Sequence, residues 1–207
     1  MYPTIETIRE IAAKGQYKRV PVCREVYADR YTPVEVMRTL RKASRHCYLL
    51  ESASQTEVWG RYSFLGYEPA MEITCTDGAM KIRRTEGEDQ GEITKQVAHP
   101  GDTLREILKE YKSPVIEDMP PFTGGLVGYF SYDYGRKQMG VPSGEKDLVT
   151  IPEAVLTFYD CFVVEDCQEK RTYLVSNGIS ADAAAEIGAM EKAIREFTEA
   201  GKQEGSE

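Results

Sequence analysis

The sequence predicts an α+β protein with a mainly antiparallel β-sheet and flanking helices. Segments with strand character cluster between residues 47 and 97 and again between 122 and 176, without the regular strand–helix alternation of a parallel sheet. The dipeptide Asp77-Gly78, between two apolar runs, is a strong signal for a β-hairpin. Segments with helical periodicity lie before, between and after these strands, which is the arrangement expected when helices cover a sheet.

Four helices are predicted, and residues 131–140 are predicted as a turn and a short helix or loop. The first covers residues 4–14 and stops at Gly15. The second begins at Thr32-Pro33-Val34-Glu35, where a threonine N-cap, a proline at the first helical position and a glutamate three residues later form a capping box. The third begins near Asp102, and the fourth follows Ser180. Their inward positions are Ile5, Ile8, Ile11 and Ala12; Val36, Met37 and Leu40; Leu104, Ile107, Leu108 and Tyr111; and Ile187, Met190, Ile194 and Phe197.

The predicted strands alternate apolar and polar residues or form short apolar runs. They cover residues 18–27, 47–52, 59–67, 70–76, 79–84, 93–97, 122–130, 153–165 and 170–176. Pro21 favours an edge position or a bulge for the first of them. Residues 153–165 are predicted as one strand, paired with 170–176 in a hairpin. Phe122, Leu126, Phe158 and Phe162 are expected to form an exposed apolar surface.

Composition excludes several classes of function. The chain has 207 residues and a net charge of −8, which argues against nucleic acid as a partner because phosphate neutralisation needs clustered basic side chains. No apolar run approaches the roughly 18–20 residues of a membrane span, and the first residues lack a secretory signal, so we expect a cytoplasmic protein. The five cysteines form no C-x-x-C pair and the two histidines lie far apart. We therefore predict structural thiols and neither a metal site nor a bound cofactor in this chain.

A glycine-rich segment at 124–128 invites comparison with dinucleotide-binding loops. Such a loop must follow a strand and open a helix, whereas here aromatic sequence continues directly after Gly128. The favoured alternative is a strand that lacks side chains because another backbone or sheet packs closely against it.

The segment Leu50-Glu51-Ser52 is the candidate ligand site. An apolar strand ends there in a carboxylate and a hydroxyl, next to free backbone groups, and this combination suits the ammonium and carboxylate of an amino acid. The alternative is a strand terminus that only caps a turn. In the following strand, alternation sends the apolar side chains inward and places Arg61 and Ser63 on the other face, where Arg61 is either a surface residue or a contact to a neighbouring domain.

Five segments in register resemble the N-terminal region of anthranilate synthase component I, a chorismate-utilising enzyme. They are Val20–Glu25, Thr32–Val34, Leu49–Ser52, Trp59–Gly66 and Phe122–Phe130. The resemblance covers residues 1–200 and leaves 201–207 as a polar tail with no reason to be ordered. It implies that Ser52 and Glu51, with Leu50 beside them, bind the feedback inhibitor L-tryptophan. A residue of Arg61-Tyr62-Ser63 also contributes to that site in this interpretation, and the sequence leaves open which one.

The resemblance also implies what this chain lacks. The C-terminal region that binds chorismate, carries the catalytic groups and holds Mg²⁺ is absent, so no catalytic residue is predicted and the chain alone is expected to be inactive. The loop that closes the tryptophan pocket from the other side is expected to be absent with it. The whole lyase converts chorismate and glutamine-derived ammonia to anthranilate and pyruvate, with a glutamine amidotransferase subunit as partner. Two alternatives stay open: a fragment of aminodeoxychorismate synthase component I, and a stand-alone amino-acid-binding regulatory module.

Overall fold

The structure is a computed structural model that describes residues 2–17, 19–27, 32–51, 60–85, 90–142 and 151–177. These residues form two compact units. The first takes its residues from Met1–Glu68, Tyr111–Gly124 and Tyr159–Glu207, and the second consists of Pro69–Glu110 and Gly125–Phe158. In chain order the elements are α1 (Ile5–Ala13), β1 (Val22–Tyr27), α2 (Pro33–Ala43), β2 (Cys47–Leu50), β3 (Tyr62–Tyr67), β4 (Met71–Thr76), β5 (Ala79–Arg84), β6 (Gly91–Gln96), α3 (Pro100–Glu110), β7 (Gly125–Phe130), α4 (Tyr132–Gln138), β8 (Ala154–Tyr159), β9 (Cys161–Asp166) and β10 (Arg171–Ser176).

The first unit is built on a five-stranded antiparallel sheet with the order β1-β10-β9-β3-β2. Strand β1 lies at one edge and Pro21 immediately precedes it, so the proline occupies a place where a missing backbone N–H costs little. Central strand β9 is buried on both sides along most of its length. This sheet positions the candidate site, because β2 is its other edge.

Apolar side chains cover both faces of this sheet. On one face, helices α1 and α2 contribute Ile8, Val36 and Leu40 to a cluster with Leu65 and Val163 of the strands. On the other face, Phe162, Val164 and Val175 pack with Phe64 and Phe122. Alternate residues of each strand therefore face different clusters, and the face of any residue follows from its position along the strand.

The second unit contains the other five-stranded sheet, with the order β6-β5-β4-β8-β7. Strands β4 and β5 form the predicted hairpin. Asp77 and Gly78 at its turn have φ angles of 48° and 75°, the left-handed values that a two-residue hairpin of this kind requires. The inner face of the unit buries Met71, Ile73 and Phe158 among others.

The predicted fold class is confirmed: the sheets are mostly antiparallel, with helices before and between their strands. The capping box is present as predicted, since Thr32 and Glu35 each accept from the backbone N–H of the other. Thr4 and Ser131 are the N-caps of α1 and α4. The helix predicted after Ser180, which is not α4, and the tail at 201–207 lie outside the described residues. None of the described helices combines the length and apolar character needed to cross a bilayer.

Two predictions about the second half of the chain are wrong. Residues 153–165 form two strands, β8 and β9, which belong to different sheets and are divided at Asp160. The predicted exposed apolar surface is also incorrect, because Phe158 and Phe162 are almost completely buried, and Phe122 is half-buried beside Phe64 and Phe162. The large exposed apolar side chains of this region are instead Tyr129, Phe130, Tyr132, Met139, Val141 and Ile151.

Candidate functional site at the end of strand β2

The predicted ligand segment lies at the end of an edge strand. Leu50 is the last residue of β2 and pairs with Phe64 of β3, and its side chain is 52% exposed. Glu51 follows directly and is exposed. Ser52 lies outside the described residues. The structure therefore places a carboxylate at an open strand end, as the sequence predicts, and leaves the role of the three residues as a prediction.

A row of polar side chains runs from this strand end into the sheet. The pairing of Leu50 with Phe64 places the next residue, Glu51, level with Ser63 of β3. Ser63 pairs with Glu165 of β9, and Glu165 pairs with Thr172 of β10. Directly paired residues point to the same face, which here is the face covered by α1 and α2. Glu51, Ser63, Glu165 and Thr172 thus form one polar row, and Ser63, Glu165 and Thr172 are buried.

The structure distinguishes the three candidates for a further contact to the effector, Arg61, Tyr62 and Ser63. Arg61 donates from Nε and Nη2 to Oδ2 of Asp166, over 2.9 and 2.6 Å. Tyr62 packs on the opposite face, in the Phe162 cluster. Ser63 is the residue that shares a face and a row with Glu51. The expectation that Ser63 lies on the face away from the apolar residues is wrong, since it is buried on the same face as Leu65.

Asp166 explains the position of Arg61. Its side chain is nearly buried, and burial by itself raises the pKa of a carboxyl group. The hydrogen bonds from Arg61 and from the backbone N–H groups of Glu169 and Gln168 outweigh burial, and the pKa of Asp166 is lowered. Arg61 therefore stabilises the turn after β9 and does not extend towards Glu51.

Glu165 was not predicted as a site residue. It is 6% exposed, and its Oε1 has no hydrogen-bond partner. Burial and the nearby carboxylates of Glu51 and Glu35 raise its pKa to about 7. The signal in the sequence is the alternation of β9: Val163 faces the core, so Glu165, two residues later, faces the same way.

The glycine-rich segment is a strand and not a phosphate-binding loop. Gly125 and Gly128 lie inside β7, at the edge of the second sheet beside β8. A Cβ atom on Gly128 would lie 2.0 Å from the carbonyl oxygen of Val155, so the close approach comes from the backbone of the neighbouring strand. This agrees with the favoured interpretation. The second half of β7, from Gly128 to Phe130, is exposed, so none of the described residues of this unit forms a further layer over it.

A cavity of about 200 Å³ in the second unit is a weaker candidate. His99, Tyr134 and Lys137 contribute to its wall, together with the start of α3. The ammonium of Lys137 binds the carboxylates of Glu153 and Asp77. Its charge is therefore balanced within the protein, and the cavity offers little net attraction to an anion.

The prediction of buried thiols holds for two of the five cysteines. All five are free thiols; Cys23 and Cys75 are buried, and Cys47, Cys161 and Cys167 are partly exposed. Burial raises the pKa of Cys23 to about 11, which makes it a poor nucleophile near neutral pH. Among the residues that the structure describes, no three or more His, Cys, Asp or Glu side chains come together in a way that could hold a metal ion.

Fold and site together define an α+β protein with two sheets and an acidic strand end. No family model matches the chain. Curated relatives do: the anthranilate synthase component 1 of Acetivibrio thermocellus is 32% identical over 176 residues, which are 85% of this chain and 34% of the relative. That of Acinetobacter calcoaceticus is 33% identical over 177 residues, covering 82% of this chain and 34% of the relative.

A solved structure gives the same result for the fold. The structure of anthranilate synthase component I from Streptococcus pneumoniae TIGR4 matches 86% of this chain and 36% of its own length, with a TM-score of 0.50 and 22% identity. The predicted resemblance is confirmed: the chain is a homologue of anthranilate synthase component 1, within the chorismate-utilising family. It spans about a third of the length of these relatives.

Proposed function

We propose that this chain is the N-terminal, tryptophan-binding part of an anthranilate synthase component I. The observation that carries the proposal is the position of Leu50 and Glu51 at an open strand end, in a chain homologous to these enzymes. The exposed carboxylate of Glu51 suits the ammonium of an amino acid, and the exposed Leu50 offers apolar surface beside it. Ser52 completes the site in this proposal by binding the effector carboxylate.

The chemistry of the whole enzyme belongs, in this proposal, to the part of such proteins that this chain does not match. That enzyme is a cytoplasmic lyase that forms anthranilate and pyruvate from chorismate and ammonia, and a glutamine amidotransferase subunit supplies the ammonia. In this proposal Mg²⁺ is held by the part of the enzyme outside this chain. The 207-residue chain then binds tryptophan weakly, because part of the pocket is missing while the ordering cost of binding remains.

The test is a titration of the chain with millimolar L-tryptophan, followed by amide NMR shifts. We expect shift changes that centre on residues 49–51 and that Glu51→Ala removes. Glu92→Ala is the matched control, since Glu92 is an exposed strand carboxylate in the second unit. In the whole enzyme, Ser52→Phe should abolish inhibition by tryptophan and leave anthranilate formation largely intact. If the NMR shift changes persist in Glu51→Ala and inhibition by tryptophan persists in Ser52→Phe, the effector site lies elsewhere.

A further inference from the structure

The structure contains a buried carboxyl group with one oxygen atom that lacks a hydrogen-bond partner. Glu165 lies in central strand β9, is 6% exposed, and its Oε1 accepts no hydrogen bond. Unpartnered buried polar atoms are rare in folded proteins because each costs free energy, so such an atom is a place where a ligand can supply the missing donor. Neighbouring Ser63 does not supply it: its hydroxyl pairs with the sulfur of Cys167 over 3.8 Å, and no hydrogen bond joins it to Oε1 of Glu165.

The surroundings of Glu165 are acidic. Glu51 approaches it from the end of β2 and Glu35 from the first turn of α2, and with burial these two carboxylates raise the pKa of Glu165 to about 7. Among the nearby basic residues, Arg38 of α2 is exposed, and Arg61, just before β3, is bound to Asp166. Arg24 of β1 lies on the same face of the sheet as Glu165, but it pairs with Leu174 of β10. It is therefore two strands and one row away, and roughly 12 Å separate the Cα atoms of Arg24 and Glu165.

The sequence that follows Glu51 contains no basic residue before β3 is approached. Residues 52–59, which join β2 to β3, read SASQTEVW and contain neither lysine nor arginine. A positively charged group brought by a ligand would therefore meet two carboxylates on either side of the Ser63 hydroxyl. It would supply both the missing hydrogen-bond donor and the missing charge.

The spacing within the row favours an ammonium group over a metal ion. Neighbouring positions in one row are about 5 Å apart, so Glu51 and Glu165, on either side of Ser63, are separated by about 10 Å at Cβ. Carboxylates that extend towards Ser63 from these two positions leave a gap that an ammonium can bridge with hydrogen bonds of about 2.8 Å. A metal ion needs a tighter set of ligands, and the described residues offer no such set.

We propose that Glu165 and Glu51 together bind a primary ammonium group above Ser63, with Glu165 as the buried half of the site. The inference rests on the proposed function only where it names this group as the α-ammonium of the amino-acid effector. On binding, the ligand N–H donates to Oε1 of Glu165, and the carboxyl proton of Glu165 leaves to solvent. The ligand keeps its own charge, so binding strengthens as Glu165 ionises.

The experiment uses three related probes on the 207-residue chain with ¹³C-labelled glutamate carboxyl groups. Tryptamine carries the ammonium without a carboxylate, indole-3-propionate carries the carboxylate without an ammonium, and L-tryptophan carries both. We expect tryptophan and tryptamine to lower the pKa of Glu165 and to bind about tenfold more tightly at pH 8 than at pH 6, since a group with a pKa of about 7 ionises between these values. Indole-3-propionate should show neither effect.

Glu165→Gln should remove the tenfold change in binding affinity between pH 6 and pH 8. This variant should fold, because glutamine resembles protonated glutamic acid in shape and charge. Glu92→Gln is the control carboxylate. The inference is overturned if tryptamine leaves the pKa of Glu165 unchanged and the variant keeps the pH dependence. If tryptophan changes the amide NMR shifts of residues 49–51 equally in the parent and in Glu165→Gln, the proposed function is supported and this inference is overturned. Tryptamine binding through Glu165 without tryptophan binding would support the ammonium site and overturn the tryptophan function, and binding of neither would overturn both.

Discussion

Oδ2 of Asp166 accepts two hydrogen bonds from the guanidinium of Arg61, over 2.9 and 2.6 Å, at the end of strand β9. The two partners differ in exposure: the side chain of Asp166 is 2% exposed and that of Arg61 is 37% exposed. The pair therefore joins a nearly buried charge to one that reaches solvent. Loss of the arginine would leave the aspartate buried with only its backbone donors.

Arg61→Ala should lower the free energy of unfolding at pH 7, because the nearly buried carboxylate of Asp166 would lose two charge-assisted hydrogen bonds. The effect should shrink as pH falls. The pKa of Asp166 is lowered in the folded chain, so its ionised form contributes stability above the unfolded pKa and loses it as pH falls through the folded pKa. Urea unfolding at pH 7 and near pH 3 measures both.

Lys81→Ala is the matched control for Arg61→Ala. Lys81 forms an ion pair with Glu92 over 2.8 Å, but both side chains are about half exposed. Exposed pairs of this kind contribute little, so a change within about 0.5 kcal/mol is expected. If the two variants are destabilised equally, the burial of Asp166 does not determine the strength of its pair.

Glu165 should give the opposite dependence of stability on pH. Its pKa is raised from 4.5 to about 7, so the folded chain holds a proton that the unfolded chain releases. Its contribution to stability is full below about pH 4.5 and is lost as pH rises through about 7. The unfolding free energy of the parent minus that of Glu165→Gln should therefore fall by on the order of 2–3 kcal/mol across this range.

The measurement is urea unfolding of both proteins from pH 4.5 to 8, with Glu92→Gln beside them. The unfolding free energy of the parent minus that of Glu92→Gln should stay constant across this pH range, because Glu92 is exposed on β6. A flat difference for Glu165→Gln as well would show that the carboxyl group of Glu165 is ionised in the folded chain at low pH and reaches a partner or solvent.

Thr32→Ala should destabilise the chain by about 1 kcal/mol through helix α2. Oγ1 of Thr32 accepts from the backbone N–H of Glu35 over 3.3 Å, and the Glu35 carboxylate accepts from the backbone N–H of Thr32 over 2.8 Å. Thr32→Ser keeps the accepting hydroxyl and should retain nearly full stability. Thermal unfolding of the three proteins tests this, and equal losses in both variants would assign the effect to the threonine methyl group.

Local signals in the sequence were sufficient wherever neighbouring residues determine the structure. The capping box at Thr32 and Glu35 and the hairpin at Asp77-Gly78 each depend on residues a few positions apart. The open strand end at Leu50 and Glu51 was predicted for the same reason, since an apolar run stops there in polar residues. The family resemblance, which needed five segments in register, gave the fold that the structure confirms.

The division of 153–165 could not be predicted locally. The segment is apolar on both sides of Asp160, and one aspartate is a weak turn signal. In the structure Asp160 accepts from Nη1 of Arg19 over 2.6 Å, and its backbone oxygen accepts from the N–H of Asn177. Both partners are distant in sequence. The same holds for Glu165, whose burial depends on the strands on either side of it and on helix α2.

The edge strand β7 contains glycines that we expect to be costly to replace. Gly128→Ala should destabilise the chain by about 1–3 kcal/mol, because its Cβ would lie 2.0 Å from the carbonyl oxygen of Val155 and backbone cannot yield cheaply. The φ angle of 158° adds to the cost for a residue with a side chain. Gly125→Val should cost a similar amount, since Gly125 is buried in the same strand with a φ of 149°.

Gly135→Ala is the control: nothing lies within 4 Å of its added Cβ, and it is inside helix α4, so this variant should gain up to about 1 kcal/mol. Differential scanning calorimetry of the three variants measures these changes. A Gly128→Ala protein that melts with the parent would show that β7 separates from β8 without cost, and the close-approach explanation for the glycine would then be wrong.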